Sequence, residues 1–459
     1  MQYESSENGG MSIKKFESML QSNKVGFFDS EEFEQIIEHY LELGKMVLAR
    51  KAVLLGLSQH PGSVSLQLLQ AEIFVFDNEF EKAHVILNEL HELQPTNSEV
   101  YIQKANIFSK TDEHDKAINL LQLALELTTD QADVYNLLGM EYLFIEDYEN
   151  AKLNFMRCLE LDDLDYSALY NIIYCFDFLN QHQQAIDFLN NFLNTNPYCE
   201  VAWHQVGKQY FDLKMYKKSL AAFDFAIISD DRFVGAYLEK GKVLEKLGRH
   251  EEAIENYLIT LKLDDPTSFA YLRLGKCHEK LGRKDEAIKY YKQTVTEDPL
   301  LDKAWIAIID FYQRRLDYQK ALTYAEKAIE IDSENALYWI RYAKLNKRLN
   351  FFEEAEHGYR RAIELGNYEL ETWLNRSDIL LQLGEKRAII SNCIHGLEFY
   401  PEDPELEYRL AGAYYATGAT TKGYYHFQNA FKNDPEFLII IEELYPECLD
   451  IKEIQLLVK

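Results

Sequence analysis

The chain has 459 residues, of which 47% are hydrophobic, and only nine prolines and twenty glycines interrupt abundant Leu, Ala, Glu, Lys, Tyr and Phe, a composition that supplies a core and favours helices over strands. A formal charge of −28 opposes binding to nucleic acid or an anionic membrane surface, because both need a basic footprint; protein partners are expected instead. No apolar run approaches the ~20 residues that span a bilayer, no basic and apolar leader follows Met1, and the six cysteines lack paired spacing. These features together imply a reducing, cytoplasmic setting and no membrane insertion.

Residues 1–29 read as a polar segment, disordered over 1–10, followed by a short capping helix built on Ile13, Phe16, Met19 and Leu20. From Ser30 to Phe437 one period of 34 residues governs the chain, so 30–437 is predicted to form twelve repeated units rather than ordinary domains. The eighth place of each unit is small at Ala71, Ala105, Gly139, Gly207, Gly241, Gly275, Ala343, Ser377 and Ala411, and the twentieth place is alanine nine times in twelve. Aromatic residues recur at the fourth place (Tyr101, Trp203, Trp305, Trp339) and the eleventh (Phe74, Tyr142, Tyr210), where they are expected to fill the core. Six of the nine prolines stand at the thirty-second place, and glycines such as Gly248 and Gly282 fall between the two halves of a unit. The pattern implies an all-α solenoid of tandem antiparallel helix pairs, with small residues where backbones approach closely. Residues 438–459 close the array, with helices expected over Phe437–Leu444 and Ile451–Val458 on either side of Pro446. They read as a cap, with Ile439, Ile440, Leu456 and Leu457 as an alternative homodimer contact.

Trp203, Val206, Gly207, Tyr210, Ser219, Phe223 and Ala226 resemble the W-x2-L-G-x2-Y and A-x3-F signature of the tetratricopeptide repeat (TPR) family, and the resemblance runs over all twelve units. Departures stand at Ile173, Ile309, Ile389 and Gly423, where the distance between helices should change locally. The resemblance implies a right-handed superhelix whose concave groove is lined by the first helix of each pair.

Catalytic chemistry is absent from the sequence: it contains no G-x-x-x-x-G-K-[ST], H-E-x-x-H or G-x-S-x-G. The 29 residues before the units and the 22 after them are too few for a catalytic domain of at least ~50 residues. No cofactor and no metal are expected; His357 beside Glu353 and Glu354 reads as a surface arrangement. Cys158, Cys175 and Cys277 replace small packing residues and read as buried hydrophobes.

At 100° per residue, the second, sixth, ninth and thirteenth places lie opposite the packed side of the first helix, where the resemblance puts the groove. In units four to six this face presents Met140, Phe144, Tyr174 and Phe178, with Leu137 and the flanking Leu143, Tyr170 and Phe211. Such aromatic and methionine side chains suit anchors for a peptide or amphipathic helix, or else they pack on one another between adjacent helices. Units six to ten carry a basic stripe: Lys208, Lys242, Lys276 and Lys344 at the ninth place, Lys246, Lys280, Arg314 and Arg348 at the thirteenth, and Arg273, Arg341 and Lys347 beside them. The first five units sum to −19 and the next five to −1, so the stripe would suit an acidic peptide, or consist only of solvated side chains. The fifth places in this region are Leu238, Leu272, Ile306 and Ile340, which departs from the lysine and asparagine clamp of the family's chaperone-binding members. The function expected is a non-enzymatic scaffold or adaptor that holds a protein or peptide partner; a structural homo-oligomer and a regulatory subunit of an enzyme are the alternatives.

Overall fold

A computed structural model describes residues 12–20, 26–263 and 267–458, and the expectation for residues 1–10 lies outside them. Among the described residues there are helices and no strands. The chain divides into two compact units, one ending at Asp231 and the other beginning at Arg232. In the first, a helix over 12–20 (α1) precedes six pairs: α2 (Ser30–Glu42) with α3 (Met46–Gln59), α4 (Val64–Phe76) with α5 (Phe80–Leu93), α6 (Ser98–Lys110) with α7 (His114–Leu127), α8 (Ala132–Phe144) with α9 (Tyr148–Leu161), α10 (Tyr166–Phe178) with α11 (His182–Thr195), and α12 (Glu200–Asp212) with α13 (Tyr216–Ser229). The second holds α14 (Val234–Lys246) with α15 (His250–Leu263), α16 (Ser268–Lys280) with α17 (Lys284–Glu297), α18 (Asp302–Gln313) with α19 (Tyr318–Ile331), α20 (Ala336–Arg348) with α21 (Phe352–Glu364), α22 (Leu370–Gln382) with α23 (Lys386–Phe399), and α24 (Pro404–Ala416) with α25 (Thr420–Asn433). Short helices α26 (Ile439–Leu444) and α27 (Lys452–Val458) follow, with 3₁₀ turns at Pro435–Leu438 and Pro446–Asp450.

Each pair is closed by a residue in the left-handed region two places before its second helix. Five of these are glycine (Gly44, Gly248, Gly282, Gly384 and Gly418), but Asn78, Asp112, Glu146, Asn180, Lys214, Leu316 and Asn350 hold the same position at φ between 54 and 64°. Asn and Asp tolerate this conformation through local hydrogen bonding, whereas Leu316 gains nothing comparable. First helices are started by side-chain caps: Asp165 accepts from the Ala168 amide at 2.9 Å, Asp403 from Leu406 at 3.0 Å, and Asp29 forms a capping box with Glu32. Each such cap contributes ~1 kcal/mol.

Within a pair, the eighth-place residue of the first helix meets the side chain sixteen residues later on the second. A Cβ added to Gly139 would stand 2.6 Å from the Phe155 ring, one on Gly207 2.5 Å from Phe223, and one on Gly275 2.4 Å from Tyr291, so at these three places the ring occupies the space a side chain would take. All three rings are buried. Successive pairs are tied by a second device, in which the fourth-place ring donates to the carbonyl at the preceding thirty-second place. Trp203 reaches Pro197 at 2.9 Å, Trp305 reaches Pro299 at 2.8 Å and Tyr101 reaches Pro95 at 2.9 Å. The prolines thus provide a fixed acceptor as well as a helix stop.

Phe16 of α1 is fully buried, with its ring 6.0–6.5 Å from Phe28, Phe33 and Tyr40, so α1 covers the first pair. At the other end, Ile440 and Leu457 belong to the last core cluster with Tyr408, Phe427 and Ile454. They are therefore not exposed, and this corrects half of the apolar patch expected there; Ile439 and Leu456 remain 51% and 78% exposed.

All six cysteines are buried free thiols, and burial pushes Cys158 and Cys277 up to about 12 and Cys175 to about 11, which keeps them unreactive. His357 packs edge-on against Trp339 at 5.4 Å and its Nδ1 lies 3.2 Å from Arg360. No cluster of His, Cys, Asp and Glu among the described residues could hold a metal ion, and no helix there is long and apolar enough to cross a membrane.

Candidate functional site

In the first unit the predicted aromatic residues of α8 and α10 fall into two ring contacts, one on each helix. Phe178 stacks on Tyr148 at 4.6 Å and meets Tyr174 at 4.7 Å, while Phe144 stacks on His114 at 5.0 Å. The His114 ring is fixed in turn by Glu141, whose buried carboxylate lies 2.8 Å from Nδ1. The same contact, a thirteenth-place ring on the seventeenth-place ring of the preceding pair, thus recurs one unit apart. Met140 is half-buried and its sulfur accepts from the Asn171 amide at 3.9 Å. Packing does not remove the cluster from solvent: Phe144, Tyr174 and Phe178 are 56%, 47% and 52% exposed, and Tyr170 is exposed beside them. One side of the cluster is supported by its neighbours and the other is open, as a preorganised apolar surface requires. Lys208, the first residue of the predicted stripe, lies on α12 in this unit, half-buried and without an ion pair among the described residues.

In the second unit the stripe is largely paired with the chain's own carboxylates. Lys242 donates to Glu239 at 2.6 Å, Arg273 to Glu245 at 2.8 Å, Arg314 to Glu279 at 2.9 Å and Lys344 to Glu371 at 2.8 Å. Arg341 stands 3.5 Å from Asp310, and Lys347 donates to Asn375 at 2.8 Å. Arg348 is exposed and has no ion pair among the described residues. A continuous run of free cations, as read from spacing alone, is therefore reduced to separate unpaired groups.

Lys246, Lys276 and Lys280 of the stripe, unlike Arg348, lie on an open cavity of about 1010 Å³ lined by α14, α16 and α18 together with residues of α15 and α17. Its floor is set by the packing of the pairs. Tyr257 and Tyr291 cross the first helices over Gly241 and Gly275 and donate their hydroxyls to Glu245 at 2.6 Å and Glu279 at 2.9 Å. Glu245 then holds Arg273, while Glu279 receives Arg314 and also Arg315, at 3.1 Å. Burial works against the Glu279 carboxylate, but hydrogen bonds from Arg315, Tyr291 and Arg314 outweigh it and hold its pKa below the usual range. Burial and the neighbouring carboxylates push both tyrosines up, so their hydroxyls stay donors. Phe155 and Phe223 occupy the equivalent position in the first unit, over Gly139 and Gly207, and there the twelfth place is Leu143 or Phe211 instead of glutamate. At Tyr257 and Tyr291 the hydroxyl on the buried ring is thus matched by a glutamate on the first helix.

Glu245, Glu279, Tyr291, Lys303 and Arg315 line this surface, with Tyr257 buried behind Glu245, and none of them is in the predicted set. Lys303 was legible, because it occupies the second place of its unit. The glutamates required the further step of pairing a tyrosine on one helix with a carboxylate on the other.

Family models described as tetratricopeptide repeat match residues 77–140, 132–163 and 167–197, and overlapping stretches at 207–266 and 238–301. The chain is a tetratricopeptide repeat protein. Over 169 residues it is 28% identical to anaphase-promoting complex subunit 3 of Schizosaccharomyces pombe, a stretch that makes up 37% of this chain and 25% of that protein. The TPR chain therefore spans about a quarter of the length of this curated relative. Among solved structures, it is similar to an APC/C hetero-tetramer of Cut9 and Hcn1 at 14% identity, with 89% of this chain and 93% of that one covered and a TM-score of 0.36. A tetratricopeptide repeat protein of Parabacteroides merdae is 16% identical, with 55% and 99% covered and a TM-score of 0.40. Tetratricopeptide repeat families are in general protein-interaction scaffolds, and the family matches and the relative support that general role here.

Proposed function

We propose that this TPR protein is a non-enzymatic adaptor that seats a segment of a protein partner on the exposed aromatic face of α8 and α10. In this reading residues 30–437 form the repeat array, 1–29 and 438–459 cap it, and the protein works in the cytoplasm. The observation that carries the proposal is the state of Phe144, Tyr174 and Phe178: each is held by a ring neighbour and about half exposed. Aromatic anchors of this kind dominate binding energy because they bury a large area with little loss of side-chain freedom. The relative's name makes it a subunit of a multi-protein complex, which supports an assembly role for this chain too.

The test replaces Phe144, Tyr174 and Phe178 together with alanine and compares intact and variant protein in affinity purification from native cells with mass spectrometry. Loss of a defined partner from the variant, with helicity unchanged by circular dichroism, is the outcome expected. Equal recovery of every partner by the variant would exclude the face as the binding surface.

A further inference from the structure

The cavity between α14, α16 and α18 has an excess of positive charge that the chain itself does not neutralise. Eight of its lining side chains are Lys or Arg and three are carboxylates, within a protein whose formal charge is −28. The carboxylates are already engaged: Glu245 by Arg273, Glu279 by Arg314 and Arg315, and Asp310 by Arg341. Lys246, Lys276, Lys280, Lys284 and Lys303 line the same space without an ion pair or hydrogen bond among the described residues. Lys276 is half-buried, and burial together with the charges of Arg273 and Lys303 pushes its ammonium below the usual lysine range. Arg315 adds a buried Nε donor with no partner. Lys246, Lys280, Lys284 and Lys303 are exposed around Lys276, so one half-buried and four solvent-facing cations share a concave surface to which an anion is attracted.

We propose that this cavity docks a phosphorylated serine or threonine on an extended segment of a protein partner. The proposal rests on the reading of the chain as a protein scaffold and names a second contact for it. A phosphate carries −1.5 to −2 charges and three acceptor oxygens at a single point, and lysine binds it as a movable point charge. Lys276 and Lys280 stand one turn apart on α16 and Lys303 on the first turn of α18, so three ammonium groups from two helices can converge on one ligand. A partner's carboxylate fits less well. The planar guanidinium forks that suit a carboxylate are occupied by Glu245 and Glu279, fixed in place by Tyr257 and Tyr291.

The experiment uses the full chain and fluorescence anisotropy with a Gly/Ala-based peptide carrying phosphoserines, beside its serine and glutamate counterparts and free inositol hexakisphosphate. The phosphopeptide should bind at least about tenfold more tightly than the other two peptides, the equivalent of one charge-assisted hydrogen bond, and more weakly as salt is raised. Lys276→Gln, Lys280→Gln and Lys303→Gln combined should lose that advantage, whereas the three Lys→Arg changes should retain it, with unchanged circular dichroism in both. Equal binding of the serine or glutamate peptide, an undiminished neutralised variant, or binding of inositol hexakisphosphate without the phosphopeptide would each overturn the site. The variant with Phe144, Tyr174 and Phe178 changed to alanine should still bind the phosphopeptide. If the phosphopeptide fails while that variant loses its partner, the docking site is wrong and the scaffold reading stands.

Discussion

Replacing Gly275 by alanine tests how packing builds the second unit's surface. The added Cβ would meet Tyr291 at 2.4 Å, whereas carbon atoms are comfortable at ~3.5–4.0 Å, so the ring must retreat by about 1 Å or more. Overpacking of this size costs ~1–3 kcal/mol. Displacing the ring also weakens the Tyr291 hydroxyl's bond to Glu279, a contact to a charged group worth ~1.5–3 kcal/mol. A total of up to ~6 kcal/mol is expected if the bond is lost outright, and at least ~1 kcal/mol if only the packing suffers, felt mainly in α16 and α17, because repeat arrays open locally. Amide hydrogen exchange should show protection in these two helices falling by at least about tenfold. The chain contains its own remedy, since Ala71 faces Leu87 and Ala105 faces Leu121 at the equivalent positions, and both leucines are buried. Adding Tyr291→Leu to Gly275→Ala should recover stability, with a coupling of at least about 1 kcal/mol. Unchanged protection in Gly275→Ala, or simple additivity in the double variant, would refute this packing account.

Three further outcomes follow from single contacts. Leu316→Gly should stabilise its unit by ~0.5–1 kcal/mol in urea unfolding, because Leu316 is 72% exposed at φ 61° and loses strain without losing core. Glu279→Gln should destabilise by ~1–3 kcal/mol near neutral pH. Since Arg315, Tyr291 and Arg314 lower the folded pKa of Glu279, its contribution is complete above the unfolded value of 4.5 and vanishes as pH falls through the folded one. The gap between wild type and variant should therefore close in acid-range unfolding curves and not in alkaline ones. Trp305→Phe keeps the ring but removes the donor to Pro299, and should cost ~1 kcal/mol by the same assay.

The 34-residue spacing of small and aromatic residues made the helix pairs legible, because each place has one steric task in every pair. The turn was only partly legible. Glycine signalled it at Gly248 and Gly282, whereas Lys214 and Leu316 hold the same left-handed conformation because the flanking helices over-determine the backbone there. Aromatic character located the α8 and α10 surface, since Phe144 and Phe178 at the thirteenth place are too large to go unnoticed. The state of the basic residues was not legible in the same way. Whether Arg273 or Lys276 is free depends on which carboxylate lies within reach across neighbouring helices, and no periodicity within one unit reports that. The C-terminal segment shows the same limit, with Ile439 exposed and Ile440 buried although both belong to one apolar run.

Site-specific photo-crosslinking tests the central claim most directly. A photoreactive phenylalanine analogue in place of Tyr174, on the exposed face of α10, is compared in native cells with the same analogue in place of the exposed Leu153 on α9. The adaptor account predicts a discrete crosslinked partner from position 174 and none of it from position 153. The same partner from both positions, or from 153 alone, would contradict the account.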